Sequence, residues 1–210
     1  MKILKKEMLV LIMIGGQSKR MGGGIKSLIQ FNNKNLLDRI LERIKPQIKN
    51  IIINCNNEEE RFLKYNIPVI KDLKKGYLGP LAGIHSAMNW IKKNEPQVEW
   101  LITLPGDTPF IPCNLISSFR NNISKKSKII LTKSNNKIHP VIGAWNISLI
   151  DSLNFHLDKG VRKVMSWAKL HQIDYINYPI KLYDPFFNIN TKEDIKIAEE
   201  IEKNFIEIIE

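Results

Sequence analysis

Cysteine and long apolar runs are scarce in this 210-residue chain, and their scarcity excludes several classes of protein. Cys55 and Cys113 are too few for a disulfide scaffold and lack the spacing of metal ligands, so a reducing cytoplasm is expected. The longest apolar run, residues 8–14, is far shorter than the roughly 20 residues that a membrane-spanning helix needs. Because Gly15-Gly16 leads from this run into a basic segment without a cleavage site of small residues, no signal peptide is expected.

Acidic residues are too few to balance the basic ones, and the formal net charge is +11. Such an excess is typical either of a solvated, lysine-rich surface or of a protein that attracts polyanionic small molecules such as a triphosphate. Nucleic acid is a third possibility, but the basic residues are spread along the chain and no aromatic residues are interleaved with them for base stacking. We therefore expect no specific nucleic acid and no membrane among the partners.

Short apolar segments alternate with longer amphipathic ones, which predicts an α/β fold with helices on both faces of a sheet. Strands are predicted over residues 8–14, 51–53, 69–70, 100–104, 129–131 and 141–145. Helices are predicted over residues 36–48, with Pro46 bending or ending the first, and over 81–93, 147–157 and 161–170, with Gly160 between the last two. Thr191 and Asp194 indicate the capped start of a C-terminal helix. No repeat or change of composition marks a domain boundary.

The segment over residues 13–26 follows the first predicted strand and reads Met-Ile-Gly-Gly-Gln-Ser-Lys-Arg-Met-Gly-Gly-Gly-Ile-Lys. Five glycines in ten residues let the backbone approach a ligand and turn N–H groups toward phosphate oxygens, while Arg20 and Lys26 add positive charge. The spacing fits neither a P-loop, which needs glycine at positions 20 and 25, nor the G-x-G-x-x-G fingerprint. The alternative to a nucleotide-binding loop is a flexible basic surface loop, and the glycine density beside two cations favours the first.

A second signal is the segment Leu104-Pro-Gly-Asp107-Thr-Pro, which ends a strongly hydrophobic predicted strand. Ligands of open α/β sheets bind beyond the carboxyl ends of the strands, where Asp107 would lie. A single carboxylate there suits Mg²⁺, which takes one or two carboxylates together with waters and substrate phosphates. Asp107 would equally serve as a turn former before Pro109, so the residue alone leaves both interpretations open.

Three further features are weaker. The segment Gly79-Pro-Leu-Ala-Gly83 would place a tight turn near a base or ribose, or it would only start a helix. Asn190 would ligate a metal or a water, or it would only shape a turn, which is slightly favoured. His139 precedes Pro140 beside a predicted strand, near enough to reach the site. The other histidines fall in helical patterns and are expected to be surface or packing residues: His85, His156 and His171.

Together these segments resemble the molybdenum cofactor guanylyltransferase family, whose glycine loop reads roughly L-A-G-G-x-S-x-R-M-G-x-D-K. The segments at 79–83, 105–109, 139–140 and 188–191 follow in the order and approximate spacing of that family, so the resemblance spans nearly the whole chain. It implies one Rossmann-like nucleotidyltransferase domain over residues 1–210, with a mostly parallel sheet. It also implies Mg²⁺ and the transfer of GMP from GTP to the terminal phosphate of molybdopterin or Mo-molybdopterin, with release of pyrophosphate.

The resemblance further implies roles for single residues. The catalytic residues would be Arg20, Lys26 and Asp107, with Asp107 as magnesium ligand and Asn190 as a second, weaker one. The nucleotide would be bound by Met13, Ile14, Gly15, Gly16, Lys26, Asn54, Asp72, Gly79 and Asp107. The second half of the chain would contribute the pterin site, where Arg162 and Lys163 are candidates for the pterin phosphate on charge alone. Further partners would be other cofactor-biosynthesis proteins or molybdoenzyme chaperones.

Departures from the family pattern leave the base preference open. Ile14 stands where the family has alanine, Ile25 stands where an acidic residue precedes the lysine, and one extra residue lies between Met21 and Lys26. The alternative functions are a related pterin cytidylyltransferase, a sugar-phosphate nucleotidyltransferase, and a GTP-binding module that delivers the cofactor without catalysis.

Overall fold

A computed structural model describes residues 7–15, 25–76 and 78–206, apart from the side chains of residues 205 and 206. Its strands are β1 Met8–Met13, β2 Gln30–Phe31, β3 Lys34–Asn35, β4 Ile51–Asn54, β5 Val69–Ile70, β6 Trp100–Pro105, β7 Ile129–Ser134, β8 Lys137–Asn146 and β9 Ile173–Tyr178. Its α-helices are α1 Leu36–Ile44, α2 Pro80–Asn94, α3 Leu115–Asn122, α4 Ile150–Asp158, α5 Val164–Ala168 and α6 Lys192–Ile201. Short 3-10 helices occur at Lys26–Leu28, Glu59–Tyr65 and Ile147–Leu149, and a π-helical turn follows α6 at Glu202–Ile206.

The central sheet has seven strands in the order β5-β4-β1-β6-β8-β7-β9. Strands β5, β4, β1 and β6 are parallel, whereas β8 runs antiparallel to both β6 and β7, and β9 pairs parallel with β7. Strands β2 and β3 form a separate hairpin. The sheet is therefore mostly parallel, as predicted, with one antiparallel strand that brings its amino end to the edge where β6 ends.

Both faces of the sheet are covered, and its central strand β1 is apolar and buried at every position. In β1, Val10 and Ile12 pack into one core cluster, and Leu9 and Leu11 pack into another on the opposite face. Helices α1 and α3 cover the first face, and α2, α4 and α5 cover the second. No helix in the described ranges is both long and apolar enough to cross a membrane.

Two predicted helices are shorter than expected. The predicted helix over 147–157 begins with a 3-10 turn and becomes α-helical only at Ile150, and the one over 161–170 is reduced to Val164–Ala168. Gly160 ends α4 with a φ of +85°, as predicted. Residues 161–163 are not helical, and the guanidinium of Arg162 donates to the carbonyl of Leu157, with 2.7 Å between nitrogen and oxygen.

The predicted strand over 141–145 is too short at its amino end, because β8 starts at Lys137 and contains His139 and Pro140. Opposite them, the pairing with β7 shifts between Leu131 and Thr132, and this irregularity accommodates a proline that cannot donate to the ladder. His139 therefore lies within a strand and not beside one. Helix α3 and edge strand β9 have no counterpart among the predicted elements.

Candidate active site

A cavity of about 790 Å³ opens where the carboxyl ends of β4, β1 and β6 meet the amino end of β8. Its wall includes Met13, Asn54, Asp72, Gly79, Asp107 and His139. The parallel strands bring residues from distant parts of the sequence to one edge, which is where open α/β sheets bind ligands. Met13, Ile14 and Gly15 line this cavity as the resemblance implied, whereas Gly16 and Arg20 lie outside the described residues.

Lys26 connects two oxygen-bearing side chains at the centre of the cavity wall. Its Nζ lies 2.5 Å from Oδ2 of Asp107 and 2.6 Å from Oδ1 of Asn190. The ion pair is largely shielded from water, with side-chain exposures of 14% for Lys26 and 21% for Asp107. Asn190 therefore contacts Lys26 and also takes part in the turn, since its own N–H donates to Asp194 at the start of α6.

The position of Asp107 is fixed by main-chain contacts on both sides. Gly106 donates to the carbonyl of Met13 at 2.9 Å, and the carbonyl of Asp107 accepts from the N–H of Ile189 at 3.0 Å. A side chain at position 106 would lie only 3.2 Å from the Cβ of Ser27, so glycine permits the close approach of the β6 end to the Lys26 turn. Within the described part of the chain, the Asp107 carboxylate accepts no main-chain N–H, which argues against a pure turn former.

Asp72 and its neighbours form the other end of the cavity, at the ends of β4 and β5. One carboxylate oxygen accepts from the Nδ2 of Asn54 at 3.0 Å, and the other accepts from the Nδ2 of Asn56 at 2.8 Å. Gly83 of α2 leaves the space for this arrangement, because a Cβ there would lie 2.6 Å from Oδ1 of Asn54. Two amides thus orient a carboxylate whose remaining lone pairs have no partner among the residues that the structure describes.

Gly79 and Pro80 place the amino end of α2 on the cavity wall. Gly79 adopts a φ of +71°, which glycine reaches without strain, and Pro80 occupies the first helical position. The dipole of this helix end favours an anion or polar ligand, although the N–H of Ala82 is already bonded to the carbonyl of Gly79 at 3.1 Å. Arg162 and Lys163 are not on the cavity wall, and the guanidinium of Arg162 donates to the carbonyls of Leu157 and Val161.

Several wall residues were missed at the level of sequence, namely Asn56, Lys137 and Asn188. Asn56 follows the predicted strand over 51–53, and Asn188 opens the segment 188–191, so both positions offer a signal. Lys137 lines the cavity because β8 runs antiparallel to β6, which no local pattern indicates. Cys55 also lines the cavity, but burial raises the pKa of its thiol, which donates to the carbonyl of Asn57. A protonated, shielded thiol is a poor nucleophile, so covalent catalysis by Cys55 is not indicated.

The comparison with known proteins decides the family. Residues 10–173 match the model of the MobA-like NTP transferase domain. The chain belongs to this family. A molybdenum cofactor guanylyltransferase of Nitrobacter hamburgensis is 35% identical over 192 residues, which cover 90% of this chain and 92% of that protein. The predicted kinship with the molybdenum cofactor guanylyltransferases is thereby confirmed, and the chain is a nucleotidyltransferase.

Solved structures agree with this MobA-like assignment. The molybdopterin-guanine dinucleotide biosynthesis protein A of Archaeoglobus fulgidus superposes with a TM-score of 0.75 at 26% identity, covering 93% of this chain and 99% of that one. A Mycobacterium tuberculosis protein solved in complex with manganese superposes with a TM-score of 0.66 at 13% identity, covering 93% of this chain and 98% of that one. At that identity the second likeness shows the shared fold alone.

Proposed function

We propose that this protein transfers GMP from GTP to the terminal phosphate of molybdopterin or Mo-molybdopterin and releases pyrophosphate. The observation that carries the proposal is the Lys26–Asp107 ion pair on the wall of a large cavity, with Asn190 bonded to Lys26, in a chain of the MobA-like family. The name of the Nitrobacter relative supports GTP and molybdopterin as the substrates.

Asp72 is the residue that we expect to select the base. Its carboxylate is held by the amides of Asn54 and Asn56, and it would accept bonds from the ring N–H and the amino group of guanine. Cytosine and uracil cannot present that pair of adjacent donors, and adenine lacks the ring N–H. A site built to pair such donors rejects bases that do not supply them.

The cluster also fits a magnesium ion. Mg²⁺ needs few protein ligands, because waters and substrate phosphates complete its octahedron. Oδ2 of Asp107 faces Lys26, while among the described residues Oδ1 has only a long contact of 3.4 Å with the hydroxyl of Thr108. Oδ1 of Asp107 would therefore hold the ion, with Asn190 as the weaker ligand. Such an ion, when bound, would supply positive charge that offsets the negative charge of the substrate phosphates.

The reaction requires one phosphate oxygen of the acceptor to attack the α-phosphorus of GTP. The bond from that phosphorus to the bridging oxygen of the β-phosphate breaks, and pyrophosphate carries away the electron pair. Lys26 has three N–H donors, and within the described ranges two of them are bonded, to Asp107 and Asn190, so the third would serve a triphosphate oxygen. Arg20 would add a second cation. Positioning and charge stabilisation supply the rate in such transfers.

Pyrophosphate release tests the proposal directly. We expect release only when GTP, Mg²⁺ and molybdopterin are all present, and roughly 100-fold slower release with CTP, ATP or UTP at matched concentration. The Asp72→Asn variant should lose most of this preference, because the amide removes one acceptor. Preference of the wild type for CTP would identify a cytidylyltransferase instead. Binding of GTP without any release would identify a delivery module.

The remaining expectations on location and partners stay predictions. Both cysteines are free thiols, Cys55 buried and Cys113 exposed, which supports a reducing cytoplasm. The association with other cofactor-biosynthesis proteins or molybdoenzyme chaperones also stays a prediction.

A further inference from the structure

His139, Ser134 and Asp184 form a hydrogen-bonded chain that the reaction described above does not use. Nε2 of His139 lies 2.7 Å from Oγ of Ser134, and this hydroxyl donates to Oδ2 of Asp184 at 3.1 Å. An ionised carboxylate only accepts, so the single hydroxyl proton of Ser134 points to Asp184. Oγ of Ser134 must then accept from an N–H on Nε2 of His139. The chain thus fixes one tautomer of the neutral ring, in which Nδ1 carries no proton.

The surroundings of His139 favour this neutral ring. Burial lowers the pKa of His139, with the charge of Asp184 acting in the opposite direction and that of Lys137 acting in the same one. The ring packs against Phe186 with 4.8 Å between the ring centres. Nδ1 has no hydrogen-bond partner within the described part of the chain, although His139 is 93% buried and belongs to the cavity wall. A lone pair on the wall of a binding cavity indicates a ligand that supplies a donor.

The sheet places His139 on the opposite side of Asp107 from the nucleoside end. Thr103 of β6 pairs with Gly143 of β8, so the part of β8 before Gly143 extends past the end of β6 toward the cavity. Asn54 and Asp72 lie on the β1–β4 side. A transfer reaction needs two ligands that meet at one phosphorus, and the cavity offers two ends that meet at Asp107.

We propose that His139 is a recognition residue for the acceptor substrate, accepting through Nδ1 a hydrogen bond from an N–H group of the acceptor's heterocycle. This proposal rests on the proposed function. The acceptor is an N–H-rich ring that carries a phosphate, and Lys137 on the same wall supplies a positive charge for it. Ser134 and Asp184 act as positioning residues, because they decide which ring nitrogen bears the proton.

The Asp184→Asn variant separates this role from a structural one. Oδ1 of Asp184 accepts from the N–H of Phe186 at 2.9 Å, and the asparagine oxygen retains that bond. Its NH₂ group then faces Ser134 and donates to Oγ, so the hydroxyl proton turns to Nε2 of His139. The proton of the ring moves to Nδ1, and an acceptor on the cavity wall becomes a donor. The local packing is unchanged while the hydrogen-bonding character reverses.

His139→Gln gives the second test. The glutamine NH₂ retains the donor to Ser134 but leaves no acceptor at the position of Nδ1. The matched control is His156→Gln on α4, where Nδ1 lies 2.8 Å from the carbonyl of Ser152.

The probe for these variants is phosphorylated 6-hydroxymethylpterin, whose intrinsic fluorescence reports binding. We expect both His139→Gln and Asp184→Asn to weaken probe binding and raise the KM for molybdopterin roughly tenfold. The affinity for GTP and the melting temperature should stay near those of the wild type.

Nitrogen-15 NMR spectra of the His139 ring report which ring nitrogen carries the proton, a property that a packing defect alone does not change. We expect an unprotonated Nδ1 in the wild type and a protonated Nδ1 in Asp184→Asn at pH 7.5. The double variant should bind the probe no more weakly than His139→Gln alone, because both changes remove one interaction. A wild-type ring protonated on Nδ1, or variants that weaken GTP and the probe equally, would overturn the proposal. Absence of pyrophosphate release by the wild type would overturn the proposed function and leave the recognition result standing.

Discussion

At the scale of single residues, Asp107 has two oxygens in different surroundings. Oδ2 is bonded to Lys26, whereas Oδ1 keeps lone pairs for a metal. An asparagine keeps the shape and one acceptor, so the fold and most of the triphosphate contacts should survive. The anionic oxygen that Mg²⁺ prefers would be lost, and stabilisation of the transition state would be lost with it.

We therefore expect Asp107→Asn to reduce turnover by at least about 100-fold while GTP affinity falls by less than about tenfold. Pyrophosphate release and GTP binding across a magnesium titration measure the two effects. Asp151→Asn is the matched control, since that side chain is 94% exposed. Near-normal turnover of Asp107→Asn would leave the metal without its proposed ligand.

Gly83 illustrates how one missing side chain shapes the nucleoside end of the cavity. In Gly83→Ala the new Cβ would meet Oδ1 of Asn54 at 2.6 Å, and Asn54 is held by its bond to Asp72. The displaced amide should lower GTP affinity roughly tenfold, although alanine favours a helix by about 1 kcal/mol over glycine. Calorimetric titration of Gly83→Ala and of the wild type with GTP measures the change in affinity.

Ala87→Gly, one turn further along α2, is the control for that change. It should lower stability by about 1 kcal/mol through helix propensity and packing, without an effect on GTP affinity. Unchanged GTP affinity in Gly83→Ala would show that Asn54 does not contribute to the nucleotide site.

At the scale of elements, the start of α6 positions the Asn190 side chain. Oδ2 of Asp194 accepts from the N–H groups of both Asn190 and Thr191, and Thr191 Oγ1 accepts from Asp194 in return. The predicted helix start is confirmed, including the reciprocal bonds of a capping box. The same bonds that begin the helix therefore fix the segment that brings Asn190 to Lys26.

We expect Asp194→Ala to lower the free energy of unfolding by about 1 kcal/mol and turnover by several-fold, because the cap and the position of Asn190 are lost together. Urea denaturation and pyrophosphate release measure the two. Glu193→Ala, an exposed change in the same turn, should alter neither by much. A loss of stability in Asp194→Ala with full turnover would separate the helix cap from the site.

At the scale of the whole molecule, buried histidines determine how stability responds to acid. Burial lowers the pKa of His85, His139 and His171 from the ordinary value of 6.5. Below about pH 6.5 the unfolded chain therefore binds more protons than the folded one, and stability falls as the pH falls toward the native pKa values. Above about pH 6.5 these histidines are neutral in both the folded and the unfolded chain, so they do not change the free energy of unfolding.

The expected result is a free energy of unfolding that is constant between pH 8 and pH 7 and declines from about pH 6.5 to pH 5.5. Urea denaturation at each pH measures it. His139→Gln removes one of the three groups and should make the decline shallower. A free energy that stays flat or rises on acidification would contradict the prediction.

Local patterns were sufficient to predict the α/β class, most of the strands and two of the central site residues. Apolar runs that end at glycine or proline mark the buried strands β1 and β6, and the two residues stand out beside them: Asp107 lies two residues after β6, and Lys26 closes the glycine-rich segment that follows β1. Edge strand β9 and helix α3 escaped because their apolar residues are few and interrupted. The predicted extent of α5 was wrong: the helix starts only at Val164, after a segment in which Arg162 donates to the carbonyl of Leu157, a contact that no local pattern encodes. One domain over residues 1–210 stays a prediction.

The sequence by itself determined which segments would meet at the carboxyl edge of the sheet, because strand ends and turn residues are local properties. Only the tertiary structure decided which side chains touch there. Lys26 lies 81 residues from Asp107 and 164 residues from Asn190, and no spacing rule connects them. His139, Ser134 and Asp184 meet because β8 runs antiparallel to β7 and because the segment after β9 returns beside that hairpin. Strand pairing between distant segments is set by the packing of the whole sheet, and it is this pairing that turned scattered polar residues into one site.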